Sequence, residues 1–263
     1  MDILMCSPDH YGVEYEINPW MHVQVEVDQA LARMQWQGLY DEYLRSGAEV
    51  LLEPGVVHLP DMVFTANAGL VRGNKVVLSR FRHPERQGEA PRWRAAFQRL
   101  GFEVLETPEH LAFEGAGDGL FVGDTLYAGH GFRSDRAAHD FVASALDVEV
   151  VSLELVDPRF YHLDTCFCPL NETTVMFAPG ALSEESAASI RRRVRHVIEV
   201  PVEVAAGFAC NAMPVGDVVL SSLSLRDLEP ELRRSGFGAI ELPMSEFLKS
   251  GGGVRCLSLP LRA

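Results

Sequence analysis

Three stretches of this chain end alike. Leu44-Arg-Ser-Gly-Ala-Glu-Val-Leu-Leu-Glu-Pro54, Leu100-Gly-Phe-Glu-Val-Leu-Glu-Thr-Pro108 and Leu232-Arg-Arg-Ser-Gly-Phe-Gly-Ala-Ile-Glu-Leu-Pro243 each read as a helix end, a glycine cap, a short apolar strand and a proline stop. A second recurrence precedes the helices. Hairpin-type turns stand at Arg72-Gly-Asn-Lys75, Val122-Gly-Asp-Thr125, Leu170-Asn-Glu-Thr173 and Val215-Gly-Asp-Val218, about 45 to 50 residues apart, a spacing typical of repeat architectures. The unit is strand, hairpin, strand, helix, strand. An open α/β sheet would also alternate strands with helices, but it has no reason to keep turns and caps in phase. The phase predicts a ring.

Five units can be counted. The first lacks a clear hairpin, and the C-terminal strand is expected to complete the last. Helices are predicted over Asp28–Arg45, Ala90–Leu100, Ser134–Leu146, Ser183–His196 and Ser224–Arg234, with Ser183 as an N-cap followed by acids in the first turn. No linker or low-complexity segment divides residues 1–263, so a single domain is expected. In a ring the first strand of each unit faces the centre. The segments Asp61–Gly69, Phe113–Asp118, His162–Cys168 and Ala209–Asn211 are assigned to those strands. Strand alternation would put His162 with Asp164, Glu114 with Asp118, and Asp61 with Thr65 and Asn67 on shared faces.

Composition narrows the function class. With 47% hydrophobic and 23% charged residues the chain reads as an ordinary globular protein. Its apolar runs are far short of a membrane span, and the N-terminus lacks the basic and apolar regions of a signal peptide. A formal charge of −14 argues against nucleic acid as a partner and suits a cationic small molecule. The run Arg191-Arg192-Arg193 with Arg195 reads as an exposed helix face. Five scattered cysteines fit a reducing cytoplasm better than a disulfide framework.

One cysteine stands apart. Ser250-Gly-Gly-Gly-Val-Arg-Cys256 delivers a thiol on a glycine-rich turn, where the backbone can bend sharply or approach a ligand. A thiol, the imidazole of His162 and several carboxylates around one axis suit attack on a planar, cationic carbon. A guanidinium fits: carboxylates grip it through charge-assisted pairs, and its charge lowers the pKa of a nearby thiol. His162 could then give a proton to the departing amine and take one from water. A zinc site built from His162, Asp164, Cys166 and Cys168 is not expected, because alternate strand residues lie roughly 7 Å apart. Cys6, Cys166, Cys168 and Cys210 read as packing residues.

Glu114-Gly-Ala-Gly-Asp118, His162-Leu-Asp164 and the Gly-Gly-Gly-Val-Arg-Cys256 tail resemble the guanidino-group-modifying (amidinotransferase) superfamily, which includes arginine deiminases, dimethylargininases and amidinotransferases. The resemblance runs over essentially the whole chain. It implies a five-bladed α/β propeller of ββαβ repeats and a covalent amidino-cysteine intermediate, with no cofactor and no metal. It makes Cys256 the nucleophile and His162 the general acid/base. Glu114 and Asp164 become guanidinium-binding carboxylates, and Asp118 a supporting one. Tyr15-Glu-Ile-Asn18-Pro-Trp20, Phe64-Thr-Ala-Asn67-Ala-Gly69, Ser79-Arg-Phe-Arg-His-Pro-Glu-Arg86 and His130-Gly-Phe-Arg133 are similar to arginine dihydrolases, which release ornithine, carbon dioxide and two ammonia, and to bacterial dimethylargininases. On that likeness Asn67 would take part in a second hydrolysis, and Asn18, Arg86 and Arg133 would bind the amino-acid end of the substrate. A coupled ornithine-to-proline step is not expected. Tyr11–Trp20 is the expected lid. The alternatives are a dimethylargininase, a deiminase stopping at citrulline, an amidinotransferase, a non-catalytic arginine-binding protein, and a metal-dependent amidohydrolase. Oligomeric state is left open, a homo-oligomer included.

Overall fold

The protein is described by a computed structural model covering residues 1–262, with side chains described through Leu261. Among the described residues, fifteen strands form five three-stranded sheets. Blade one joins β1 (Asp2–Cys6) and β2 (Glu49–Glu53) to β15 (Leu259–Arg262). Blade two holds β3 (Gly69–Arg72), β4 (Lys75–Leu78) and β5 (Glu103–Glu106). Blade three holds β6 (Gly119–Val122), β7 (Thr125–His130) and β8 (Val150–Glu154). Blade four holds β9 (Phe167–Pro169), β10 (Thr174–Phe177) and β11 (His196–Glu199). Blade five holds β12 (Met213–Val215), β13 (Val218–Ser221) and β14 (Gly238–Glu241). Every blade has one antiparallel and one parallel pairing about its middle strand, so the ββαβ repeat is real and the fold is a five-fold α/β propeller.

The ring closes differently from the expectation. The C-terminal strand completes the first blade: β15 pairs antiparallel with β1, while blade five makes its own hairpin. This also accounts for the hairpin missing from the first unit. The recurrences have a common backbone cause. The cap glycines Gly47, Gly101 and Gly236 have φ of 78°, 85° and 88°, and the hairpin glycines Gly73, Gly123 and Gly216 have 60°, 59° and 61°, a left-handed region where a Cβ is costly.

The helices are α1 (Gln29–Arg45), α2 (Pro84–Gln87), α3 (Ala90–Arg99), α4 (Ala138–Leu146), α5 (Glu184–Arg193), α6 (Val202–Ala206), α7 (Glu229–Arg234) and α8 (Ser245–Leu248). In α1, Asp28 caps the N-terminus through Leu31 N, and Ala32, Trp36, Leu39 and Tyr43 form one buried stripe at helical spacing. Three helices are shorter than the sequence predicts. Before α4, the Ser134 hydroxyl is taken up by Asp118 and the Glu114 amide. Ser183 does cap α5, but the helix stops at Arg193 because His196 already pairs with Thr174. In the last, Pro230 sits at the start of α7, and Arg226–Leu228 form a separate 3-10 turn. Arg191, Arg192, Arg193 and Arg195 are exposed as expected, though Arg195 lies beyond the helix. No helix among the described residues is long and apolar enough to cross a membrane.

Candidate active site

The centre-facing segments are not strands. Thr65–Ala68, Gly115–Gly117 and Leu163–Thr165 are 3-10 turns, each ending where the inner strand of its blade begins or shortly before. The strand alternation expected for His162 with Asp164, Glu114 with Asp118, and Asp61 with Asn67 therefore does not apply. Convergence comes from the ring instead: every blade brings the segment before its inner strand to one end of the axis. Blade one contributes Cys256, blade two Asn67, blade three Glu114 and Asp118, blade four His162 and Asp164, and blade five Asn211.

Cys256 is held in a tight frame. Asn211 Nδ2 donates to its Sγ at 3.0 Å, and the thiol lies 3.4 Å from Asp164 Oδ2. The other end of the same amide, Oδ1, accepts from Gly253 N at 3.0 Å and Cys256 N at 3.4 Å. Asn211 thus fixes both the turn and the sulfur. The turn is further pinned by Ser222 Oγ on Val254 N and by Tyr43 from α1, bonded to Ser258 at 2.7 Å. Burial and the adjacent Asp164 push the thiol well above the ordinary range, only partly offset by the Gly253 and Asn211 donors. Asp164 is itself pushed up to about 7 by burial, against the pull of Arg255 and the bonds from Cys256 and Asn211.

His162 belongs to a second group. Its Nε2 lies 2.7 Å from Glu114 Oε2, which also accepts from Arg133 Nη1 at 3.0 Å, while Glu114 Oε1 accepts from Arg82 N at 3.1 Å. Burial alone would raise Glu114; the Arg133 guanidinium and the bond to His162 outweigh it and hold the carboxyl well below the usual range. Asp118 stands behind this pair. It takes the Ser134 hydroxyl at 2.6 Å and Leu163 N at 3.0 Å, which locks the backbone beside His162. Burial lifts Asp118 to about 6.

Arg86 and Arg133 are both buried and both engaged by the protein. Arg86 meets Glu89 at 2.7 Å and 3.0 Å, Asn67 Oδ1 at 2.9 Å and the Asp61 carbonyl at 3.1 Å. Arg133 bridges Glu114 to the Ile17 carbonyl at 3.0 Å and lies over the Tyr161 ring. Asn18 reaches the Ser250 carbonyl at 3.0 Å, so the segment expected as a lid lies against the cysteine turn. Among the described residues, Asp164 Oδ1 and Asn67 Nδ2 are buried with no hydrogen-bond partner. With Asp61 Oδ1, also buried and unpartnered, two carboxylate acceptors and one donor stand ready, which suits a ligand bearing N–H groups and positive charge. Asn211 was missing from the predicted site; its signal was position, since Ala209-Cys210-Asn211 occupies the same phase of the repeat as Asn67 and His162.

The packing cysteines behave as expected: Cys166 and Cys168 are buried and face the carbonyls of Leu163 and Ala212. No group of three or more metal-ligating side chains gathers among the described residues.

Residues 14–263 match the family described as N,N-dimethylarginine dimethylhydrolase, eukaryotic. The chain belongs to this family. Within this wider group of guanidino-modifying proteins, it is 48% identical over 262 residues to the bifunctional arginine dihydrolase/ornithine cyclodeaminase ArgZ of Synechocystis sp., covering 98% of this chain and 37% of that protein. The chain therefore spans little more than a third of that relative. It is 40% identical over 258 residues to the N(G),N(G)-dimethylarginine dimethylaminohydrolase of Mycobacterium tuberculosis, covering 98% of this chain and 84% of that one. The fold superposes on the N-terminal domain of ArgZ, in a cysteine-to-serine variant bound to substrate, with a TM-score of 0.95 at 48% identity, over 99% of this chain and 97% of that chain. An asparagine-to-serine variant of the same domain, covalently bound to a reaction intermediate, matches with a TM-score of 0.95 at 47% identity, over 99% of this chain and 97% of that one.

Proposed function

We propose that this chain is a cofactor-independent cysteine hydrolase of the arginine guanidinium that carries arginine through to ornithine, ammonia and carbon dioxide. The observation that carries the reading is the pairing of a buried thiol with a buried carboxylate at 3.4 Å whose second oxygen is unpaired. That arrangement is unfavourable for the protein alone and becomes favourable when a planar cation enters.

The guanidinium docks on Asp164, with Glu114 on its other side, and presents its central carbon to Sγ. Its positive charge offsets the burial and the Asp164 field that hold the proton on sulfur. The thiol proton passes to His162 as the S–C bond forms, and His162 returns it to the departing nitrogen, which leaves as ammonia. Water, deprotonated by the same imidazole, adds to the amidino-cysteine, and the C–S bond breaks to release the ureido product. A second round on that ureido group, with Asn67 Nδ2 as a hydrogen-bond donor, releases the second ammonia and carbon dioxide and leaves ornithine. The net reaction consumes two waters per arginine.

The dimethylargininase reading is supported by the family match and by the mycobacterial relative. It would have dimethylamine leave in place of ammonia and would stop at citrulline. One incubation decides. The protein is given arginine or asymmetric dimethylarginine, and products are identified by mass spectrometry. Ornithine from arginine is expected. Citrulline as the terminal product removes the second round, and preferred turnover of dimethylarginine replaces the substrate. An acid quench with no mass increment on Cys256 removes the covalent mechanism.

A further inference from the structure

The inner strands carry the site at one end and, in blades two to five, a turn into the middle strand at the other. At that far end the ring encloses a cavity of about 890 Å³. Asn74 and Asn171 stand at its mouth, its walls include Leu70, Leu120 and Leu259, and Arg255 lies at depth, next in sequence to the nucleophile. A volume of this size with mostly apolar walls and few polar groups is typical of a small-molecule site.

Arg255 is the anomaly. Among the described residues the buried arginines are Arg86, Arg133 and Arg255. The first two sit on Glu89 and Glu114. Arg255 is 9% exposed. Its Nη1 donates to the Ser258 carbonyl at 3.1 Å and lies 3.9 Å from Met213 Sδ. Among the described residues no carboxylate comes within ion-pair distance of it, and no acceptor meets its Nε or Nη2. Its Nε and Nη2 are not among the fully buried unpartnered atoms, so they face the cavity, and a guanidinium held mostly out of bulk water with no anion beside it is poorly compensated. The other charged side chains at the cavity are Arg72 and Glu172. Arg72 is paired with Asp124 at 2.5 Å and lies over Phe121, and Glu172 is exposed on its turn.

We infer that the central cavity binds a small organic monocarboxylate with an aliphatic body, its carboxylate seated on Arg255 and its chain against the leucine walls. A guanidinium presents the fork that a carboxylate matches. The site also reaches the chemistry. Arg255 pulls the Asp164 carboxyl downward without bonding to it, so an anion on Arg255 cancels that pull and favours protonated Asp164. The substrate cation then loses its carboxylate, and the apparent KM for arginine rises while kcat holds. This coupling rests on the function proposed above; the binding does not.

Hexanoate is the probe and hexanamide its neutral control. The protein is labelled with carbon-13 at the methionine methyls, and the Met213 resonance is assigned from Met213→Leu. Hexanoate is expected to shift that resonance saturably below about 20 mM and to bind at least about tenfold tighter than hexanamide; Arg255→Gln is expected to remove that preference. No saturable shift at Met213, or equal affinity for acid and amide, overturns the site. Should Arg255→Gln fail to fold, the acid-to-amide ratio in the wild type decides alone. In the kinetic arm, hexanoate raises the KM for arginine in the wild type and has less effect in Asn74→Trp, which narrows the mouth. Binding at Met213 with an unchanged KM overturns the coupling to Asp164. Binding at Met213 in a protein that turns over no arginine overturns the proposed function and leaves the cavity site standing.

Discussion

Arg86 donates from Nη1 to Oδ1 of Asn67 at 2.9 Å, and this bond decides which way the amide faces. Arginine has no acceptor, so the reversed amide would set N–H against N–H. Nδ2 is thereby turned toward Gly117, where any added Cβ would lie 2.2 Å from it and 3.4 Å from the His162 ring. The donor points beside His162 and has no partner among the described residues. Asn67→Ala is expected to slow ornithine formation by about 10², the usual cost of one preorganised donor, and to let citrulline accumulate. Arg86→Lys, which cannot hold Glu89 and Asn67 with one planar fork, should move the product ratio in the same direction but less. Ornithine and citrulline quantified together check this; an unchanged ratio in Asn67→Ala removes the role.

The thiol's environment sets its reactivity. Burial and Asp164 keep Cys256 protonated at neutral pH. Iodoacetamide labelling at Cys256, followed by peptide mass spectrometry, is therefore expected to be slow at pH 7 and to rise about tenfold per pH unit to beyond pH 9. A plateau below pH 8 would contradict it. The other four cysteines are also buried and unpaired, so the reading has to be site-resolved.

Much of this was legible in the sequence because backbone chemistry repeats where side chains do not. Glycines forced to positive φ marked caps and hairpins in several blades, and those marks sufficed for a ring. Ring closure was not legible. Which unit the last strand joins is a matter of pairing across the whole chain, and β15 found β1. Cys256, His162 and the carboxylates do converge at one end of the axis, as the repeat predicts, but on 3-10 turns rather than strands. Leu163-Asp164-Thr165 alternates apolar and polar residues next to the apolar Phe167 and so passes for strand; the bonds that coil it, Thr165 N to His162 O and Leu163 N to Asp118, are partly long-range. Asn211 is not legible in this way, because asparagine among small residues carries no local sign of holding a thiol.

Asp164 makes activity and stability oppose each other in pH. Its carboxyl is pushed from an ordinary 3.8 to about 7 by burial. The folded state therefore holds a proton that the unfolded state has lost, and stability falls as pH rises from about 4 to about 7. Asp118, pushed to about 6, adds in the same direction. On the proposed function a cationic substrate needs the ionised form, so the KM for arginine should fall as pH rises through about 7. Asp164→Asn is expected to flatten the loss of Tm between pH 5 and pH 8 while lowering kcat/KM by at least about 10². Thermal melts at both pH values, with kcat/KM profiles for the wild type, test both halves. A wild-type Tm that falls over this range no more steeply than that of Asp164→Asn contradicts the assignment.

The segment from Tyr11 to Trp20 is held over the cysteine turn by polar bonds as well as by the packing of Tyr11 on Phe247. Tyr11 OH reaches the Glu246 carbonyl at 2.8 Å, Asn18 Nδ2 the Ser250 carbonyl, and Trp20 Nε1 the Arg159 carbonyl at 3.0 Å. The Trp20 ring meets Phe208 edge-on at 5.1 Å. Beneath them lies Gly251, at φ 78°, where an added Cβ would sit 2.8 Å from the Trp20 ring and 3.1 Å from Asn18. Arg133 joins this cover to the chemistry, because one guanidinium holds both the Ile17 carbonyl and Glu114. Loosening the cover should therefore disturb the acid/base pair as well as admit water. Trp20→Ala is expected to raise the KM for arginine about tenfold with only a few degrees lost in Tm, since the residue is exposed in part and outside the main clusters. Gly251→Ala should lower kcat as well, because it displaces the cover and strains the turn that presents Cys256. Steady-state kinetics with parallel melts separates these outcomes: a Trp20→Ala enzyme with wild-type KM and kcat would mean that the segment covers the site without serving it.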